Sequence, residues 1–258
     1  MNTKTAQKQA ISKKENKMNE SGSNANELVK ISVLGVGLTN ETEENILEYI
    51  VKNIPQQQKS YYIVTPNPEM IVLANKDNAF KRTLNNAKIA LTDGMQLYRY
   101  ARGIGIPLKE RIIGTNFVEN LCEKVANRPI TVGFLGGRGK IAEMAAECLR
   151  EKYPGLKIAF ATAEWNEDFK GSDVDILFVA FGFPKQENWM AEHVGKTNAK
   201  VMMGVGGALD QIVDPTLRPP KLVHNLGLGW LYRLVREPWR ITRQAKLIEF
   251  ILLTMKHA

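Results

Sequence analysis

Short apolar, β-branched runs alternate along this chain with longer segments whose apolar residues recur at helical spacing. The runs predict strands at Ile31–Val36, Tyr61–Thr65, Ile89–Leu91, Ile130–Leu135, Lys157–Ala161, Ile176–Ala180 and Val201–Gly204. Between them the spacing predicts helices over Glu41–Asn53, Pro68–Asn86, Met95–Arg102, Thr115–Ala126, Lys140–Lys152 and Lys185–Val194. Strands alternating with helices of about 10–15 residues imply an α/β fold with a doubly wound, mainly parallel sheet. After Pro219-Pro220 the pattern turns helical only, which places a boundary near Arg218. The expected organisation is a polar, disordered tail (1–28), an α/β core (29–218) and a basic helical appendage (219–258).

Charge sharpens this division. The net charge is +8, with +3 on residues 1–30, +6 on residues 218–258 and −1 on the remainder. A nucleic-acid-binding domain more often carries its charge on the folded body. Basic ends on a neutral core fit an approach to an anionic membrane surface. No apolar run reaches the roughly 20 residues that span a bilayer, and the first 30 residues lack the apolar core of a signal peptide. Cys122 and Cys148 have neither CxxC nor helical-face spacing, in keeping with buried thiols in a reducing cytosol.

Candidate chemistry sits where strands end. Thr65-Pro66-Asn67-Pro68-Glu69 follows one apolar run and Thr92-Asp93-Gly94 another. Ligands of open α/β sheets gather at strand carboxyl ends, so Thr65, Asn67 and Asp93 are expected in one crevice. Asn67-Pro68 reads equally as a helix N-cap followed by a first-position proline. In Gly133–Gly139, Gly136 and Gly137 let backbone N–H groups approach a phosphate. Gly137–Ala142 also matches G-x-G-x-x-A, with Glu164 beyond the next strand, and leaves an NAD-linked oxidoreductase as an alternative. Asp210, in Gly204-Val205-Gly206-Gly207-Ala208-Leu209-Asp210, suits a nucleoside or sugar hydroxyl. Asp173-Val174-Asp175 has the form of a metal-holding Asp-x-Asp, but it precedes its strand and falls across the sheet from the crevice. The three histidines are scattered, and the chain offers no expected metal site or cofactor.

An ordered set of motifs runs through the chain: Thr-Pro-Asn-Pro-Glu, Thr-Asp-Gly, Arg111-Ile112-Ile113-Gly114, Phe134-Leu135-Gly136-Gly137, Gly182-Phe183-Pro184-Lys185-Gln186-Glu187, Gly-Val-Gly-Gly-Ala-Leu-Asp and Trp230-Leu231-Tyr232-Arg233-Leu234. In this it resembles the WecG/TagA/CpsF glycosyltransferases over roughly residues 31 to 245. The resemblance implies a Rossmann-like core and a C-terminal appendage that meets the membrane. It implies an inverting, metal-independent transfer of N-acetylmannosamine, its uronic acid or a related sugar from a UDP donor. The acceptor would be an undecaprenyl-diphosphate-linked GlcNAc, in the assembly of wall teichoic acid linkage units, common antigen or capsule. It implies Asp93 as general base beside Thr65, with Asn67, Arg111, Gln186 and Asp210 lining the donor site. Arg233, Arg240 and Arg243 match appendage arginines that reach the active site. On one unbroken helix Arg233, Arg236, Arg240 and Arg243 would share a stripe, although Pro238 can split it. The expected location is the cytoplasmic face of the membrane, peripherally bound. Leu247–Leu253, nearly apolar all round, suits either interfacial burial or docking on the core. Oligomeric state, including a homo-oligomer, stays open.

Overall fold

A computed structural model describes residues 28–166, 173–220, 222–223, 226–238 and 241–257, apart from the side chains of 241–245 and 257. The tail expected over residues 1–28 therefore lies almost wholly outside the described residues.

Six strands form one all-parallel sheet: β3 (Tyr61–Val64), β4 (Ile89–Ala90), β5 (Thr131–Gly136), β6 (Lys157–Thr162), β7 (Ile176–Ala180) and β8 (Val201–Gly204). Their order across the sheet is β4-β3-β8-β7-β5-β6. The central strands β3, β7 and β8 are buried at every position, because helices cover both faces. The edges are a two-residue strand, β4, and the partly exposed β6. Short or polar edges offer little template for pairing with another chain.

Helices α1 (Glu43–Asn53), α5 (Gly114–Val125), α6 (Ile141–Lys152) and α8 (Ala208–Val213) enclose one core around Phe117, Phe134 and Phe178. Helices α2 (Pro68–Lys76), α3 (Asn78–Asn86), α4 (Met95–Gly103) and α7 (Lys185–His193) close the other around Met70, Phe80 and Met202. The sheet is thus doubly wound.

Two elements differ from the expectations. The strand expected over Ile31–Val36 is an antiparallel hairpin, β1 (Lys30–Val33) and β2 (Val36–Thr39), outside the main sheet. Leu34 and Gly35 turn it with φ of 51° and 80°, the left-handed pair that matches strand twist in a two-residue loop. The helix expected over Pro68–Asn86 breaks at Asp77, which sits at φ −124°, ψ 107°. Its carboxylate accepts from Ala79 N (2.7 Å) and Phe80 N (3.1 Å), so Asp77 caps a new helix instead of continuing the old one.

The C-terminal segment holds α9 (Gly229–Arg236) and α10 (Ile241–His257). The end of α9 at Arg236 splits the arginine stripe between two elements. The apolar run in α10 has two faces. Phe250 is buried against Tyr100 (ring centroids 6.1 Å), Leu253 packs on the same core and Glu249 pairs with Lys76 at 2.6 Å. Ile248, Ile251, Leu252 and Met255 point outward, 49–70% exposed. Among the described residues no helix is long and apolar enough to cross a membrane.

Candidate active site

The carboxyl ends of all six parallel strands open into one cleft of about 1070 Å³. Residues following β3 (Thr65, Asn67), β4 (Asp93), β5 (Gly137, Gly139), β6 (Glu164, Trp165), β7 (Phe181, Gln186, Glu187) and β8 (Gly206, Gly207, Asp210) line it, with Arg233, Arg236 and Glu237 from α9. The parallel topology puts every one of these loops on the same edge of the sheet. The volume accommodates a ligand of nucleotide-sugar size.

At one pole the loops after β3 and β4 lock together. Asn67, extended at φ −134° and ψ 175°, accepts from Met70 N at 3.1 Å and so caps α2, with Pro68 in its first turn. The cap reading and the cleft placement therefore hold together. Gly94 is what lets the loops touch: a Cβ there would lie 2.6 Å from Pro68 Cδ. Gly114, at the start of α5, bridges Thr65 and Asp93. Its amide donates to Asp93 Oδ1 at 3.4 Å, and a Cβ on it would lie 3.7 Å from Thr65 Cγ2 and 3.8 Å from Asp93 Oδ2. Thr65 and Asp93 thus flank one point at a helix N-terminus, where the local dipole is positive.

Burial pushes the Asp93 pKa above the ordinary carboxylate value, while the Gly114 amide, Arg111 and Arg233 oppose the rise. Burial lowers the Arg111 pKa, Asp93 opposes that shift, and Arg99 adds to it. Arg111 is half-buried beside Asp93 and does not line the cleft. Arg233 does line it, held by Glu237 Oε2, which accepts from Nε at 3.1 Å and Nη2 at 3.0 Å. The segment carrying Arg233 is tied to the core where Tyr232 Oη donates to Thr216 O (2.9 Å), Gln96 to Gly227 O (3.2 Å) and Arg99 to Leu226 O (3.3 Å). Arg240 and the side chain of Arg243 lie outside the described residues.

Towards the other pole, Gly136 is buried within β5, at φ 102°, with no room for a Cβ against the Ala180 carbonyl. Of this pair Gly137 reaches the cleft, and its N–H donates to Ala180 O at 3.0 Å. That amide is already engaged within the fold. Gln186 is likewise engaged: its Oε1 accepts from Gly206 N at 2.9 Å and its Nε2 donates to Glu187 Oε1 at 2.7 Å. Asp210 lines the cleft from the first turn of α8.

Three features escaped sequence reasoning. Glu187 is fully buried, and burial lifts its pKa to about 7. In sequence it is one more polar residue in a helix's first turn. Its signal was the density of polar residues directly after the glycine-rich turn. An aromatic ledge combines Trp165 and Trp189 (5.2 Å, 67°) with Phe181 (5.5 Å from Trp189, 79°). Finally, Glu237 is an almost buried acid that pairs with Arg233 four residues before it, a spacing that could have found it.

At the opposite end of the sheet Asp175 accepts from Thr131 N at 2.9 Å and pairs with Lys200 at 2.8 Å, tying together the amino ends of three strands. Among the described residues no three His, Cys, Asp or Glu side chains cluster closely enough to hold a metal ion.

Residues 31–258 match the model of the glycosyl transferase WecG/TagA/CpsF family. The chain belongs to that family. Similar relatives include the N-acetylglucosaminyldiphosphoundecaprenol N-acetyl-beta-D-mannosaminyltransferases of Staphylococcus aureus strains MRSA252 and MW2. They are 32% and 31% identical over 225 residues, covering 83% of this chain and 87% of theirs. The family assignment removes the oxidoreductase alternative and makes the G-x-G-x-x-A match incidental. As a family glycosyltransferase, the chain has its Thr65–Asp93 pole and its aromatic pole at opposite ends of one cleft.

Proposed function

We propose that this glycosyltransferase inverts the sugar it transfers, moving N-acetylmannosamine from UDP to undecaprenyl-diphosphate-linked GlcNAc without a metal. The observation that carries the reading is the Thr65–Asp93 pair around Gly114, at one end of a cleft sized for a nucleotide sugar. In a single displacement an acceptor hydroxyl attacks the anomeric carbon from the face opposite UDP. The new C–O bond forms as the bond to the β-phosphate oxygen breaks, and that oxygen keeps the electron pair. Asp93 takes the hydroxyl proton as its nucleophilicity is needed. A carboxyl whose pKa is raised by burial is a stronger base than a solvated one, and burial is the leading influence on Asp93. Thr65 orients the reacting groups, while Asn67 and Asp210 line the donor path.

Positive charge for the departing UDP comes from Arg233, which lines the cleft, with Arg111 acting electrostatically from beside Asp93. Arg240 and Arg243 extend this set. The Asp-x-Asp residue Asp175 serves the sheet instead, because its oxygens are bonded to Thr131 and Lys200. The outward faces of α9 and α10, with Trp230, Leu231, Val235, Ile251 and Met255 exposed, suit burial in the interface of an anionic membrane. Such a surface supports a reading in which the cleft meets, at the cytoplasmic face, a polyprenyl acceptor that stays in the bilayer. A second copy of the chain would cover the same apolar surface in a homo-oligomer.

A panel of UDP-sugars, assayed with a short-chain analogue of the lipid acceptor for UDP release and product mass, tests the reading. UDP-N-acetylmannosamine should be the productive donor, with the rate unchanged in excess EDTA. A different productive donor corrects the sugar. Activity lost in EDTA and restored by Mg²⁺ or Mn²⁺ overturns metal independence.

A further inference from the structure

Glu187 combines three properties seldom found together. It has no exposed surface, it lines the cleft, and its Oε2 has no hydrogen-bond partner among the described residues. A buried polar atom without a partner costs about 1–3 kcal/mol, so an unmade bond at this position calls for an explanation.

The carboxyl is also fixed in direction. Gln186 Nε2 donates to Glu187 Oε1 at 2.7 Å, and Gln186 Oε1 accepts from Gly206 N at 2.9 Å. Gly204 admits the amide so closely that a Cβ there would lie 2.9 Å from Gln186 Nε2. One oxygen is held by this relay, and the other is left without a partner in a residue that borders the cleft.

We infer that Glu187 is a donor-binding residue whose Oε2 hydrogen-bonds the ribose–diphosphate half of the nucleotide sugar. The sheet order supports that half over the transferred sugar. Glu187 follows β7, two strands from β3 and three from β4, or about 10 and 14 Å at ordinary strand spacing. Bond cleavage lies at the Thr65–Asp93 pole. A donor reaching from there across the strand ends lays its diphosphate and ribose over β8 and β7. Near pH 7 the carboxyl is poised between its two forms. The protonated form donates to a phosphate or ribose oxygen, and the ionised form accepts from a ribose hydroxyl. The inference rests on the UDP-donor reading above.

The test is calorimetric titration of UDP and a UDP-sugar into the full chain, with the unfolding midpoint recorded for each variant. Glu187→Leu should weaken both ligands by a similar factor, about 10–100-fold. Glu187→Gln should recover most of that loss. UDP affinity in Glu187→Leu within about twofold of wild type, whatever happens to the midpoint, makes the carboxyl purely structural and overturns the inference. Weaker UDP-sugar binding with unchanged UDP binding overturns its assignment to the nucleotide half. If Glu187→Leu does not fold, Glu187→Asp takes its place, because it draws the carboxyl back by one methylene; unchanged UDP affinity there is equally contradictory. Failure of the wild-type chain to bind UDP at all strikes the donor reading itself, which separates the two failures.

Discussion

Two aspartates stand at opposite ends of the same sheet. At the amino ends Asp175 is fully engaged by Thr131 and Lys200 and joins β5, β7 and β8. At the carboxyl ends Asp93 has one long amide bond from Gly114, sits beside two arginines, and is held above its ordinary pKa chiefly by burial. Residue type is the same, and by accessible surface Asp175 is the more buried of the two. The difference lies in how much hydrogen-bonding capacity the fold itself uses. Where partners are complete, an aspartate serves stability; where they are incomplete and a cleft adjoins, it can serve chemistry. Parallel topology makes the division systematic, since it sends all βα loops to one edge and all αβ loops to the other.

The comparison breaks most visibly at Asp93. Asp93→Asn should lower turnover by about 10²–10⁴-fold while UDP binding persists, as steady-state rates and calorimetry would show. Turnover above about a third of wild type would return Asp93 to an ordinary turn residue.

Asp175→Ala should do the reverse. It leaves the Thr131 amide without its acceptor and Lys200 without its counter-ion, so it should destabilise the fold by about 1–3 kcal/mol in denaturant unfolding. Activity per folded molecule should be unchanged. A catalytic loss without a stability loss would restore the Asp-x-Asp reading.

A third test uses Glu187, whose situation resembles that of Asp93. Burial raises its folded pKa from 4.5 to about 7. The stabilisation carried by the neutral form is complete below pH 4.5 and is lost as pH rises through 7. Glu187→Gln keeps the acceptor for Gln186 but cannot ionise. It should therefore match wild type near pH 4.5 and exceed it at pH 8 by on the order of 3 kcal/mol. Unfolding free energies of the two proteins across that range check the sign.

The smallest effect is expected on the outer face of α10. Ile251→Glu with Met255→Glu should reduce binding to anionic vesicles while leaving turnover of a short, soluble acceptor intact. Unchanged vesicle binding would leave this face to a second copy of the chain.

Much of this arrangement was legible because its signals are local. Tyr61–Val64 and Ile176–Ala180 are uninterrupted apolar runs, which is how doubly covered parallel strands read. Thr65 and Asp93 follow their strands within three residues, so strand recognition already placed them on one edge. What escaped depends on contacts distant in sequence or on one backbone angle. Leu34 gave no sign of a left-handed φ, since Gly35 was the only turn residue in an apolar stretch. Asp77 interrupts a helical periodicity that continues on both sides of it. Glu187 is buried by the packing of α7 against the β8 loop, a fact that no periodicity encodes, whereas the i,i+4 spacing of Arg233 and Glu237 did carry their pairing. Gly94 was visible as part of a turn, but its reason is Pro68, a neighbour supplied by another loop.

The central claim is that Asp93 removes the acceptor's proton, and the pH dependence of single-turnover transfer at saturating donor tests it most directly. Wild type should lose rate on the acid side with a midpoint above the ordinary carboxylate value of 3.8, because burial raises the Asp93 pKa and only the ionised form accepts a proton. Asp93→Asn should be slow throughout and lack that limb. An acid limb that persists unchanged in Asp93→Asn would contradict the account and assign the base to another residue.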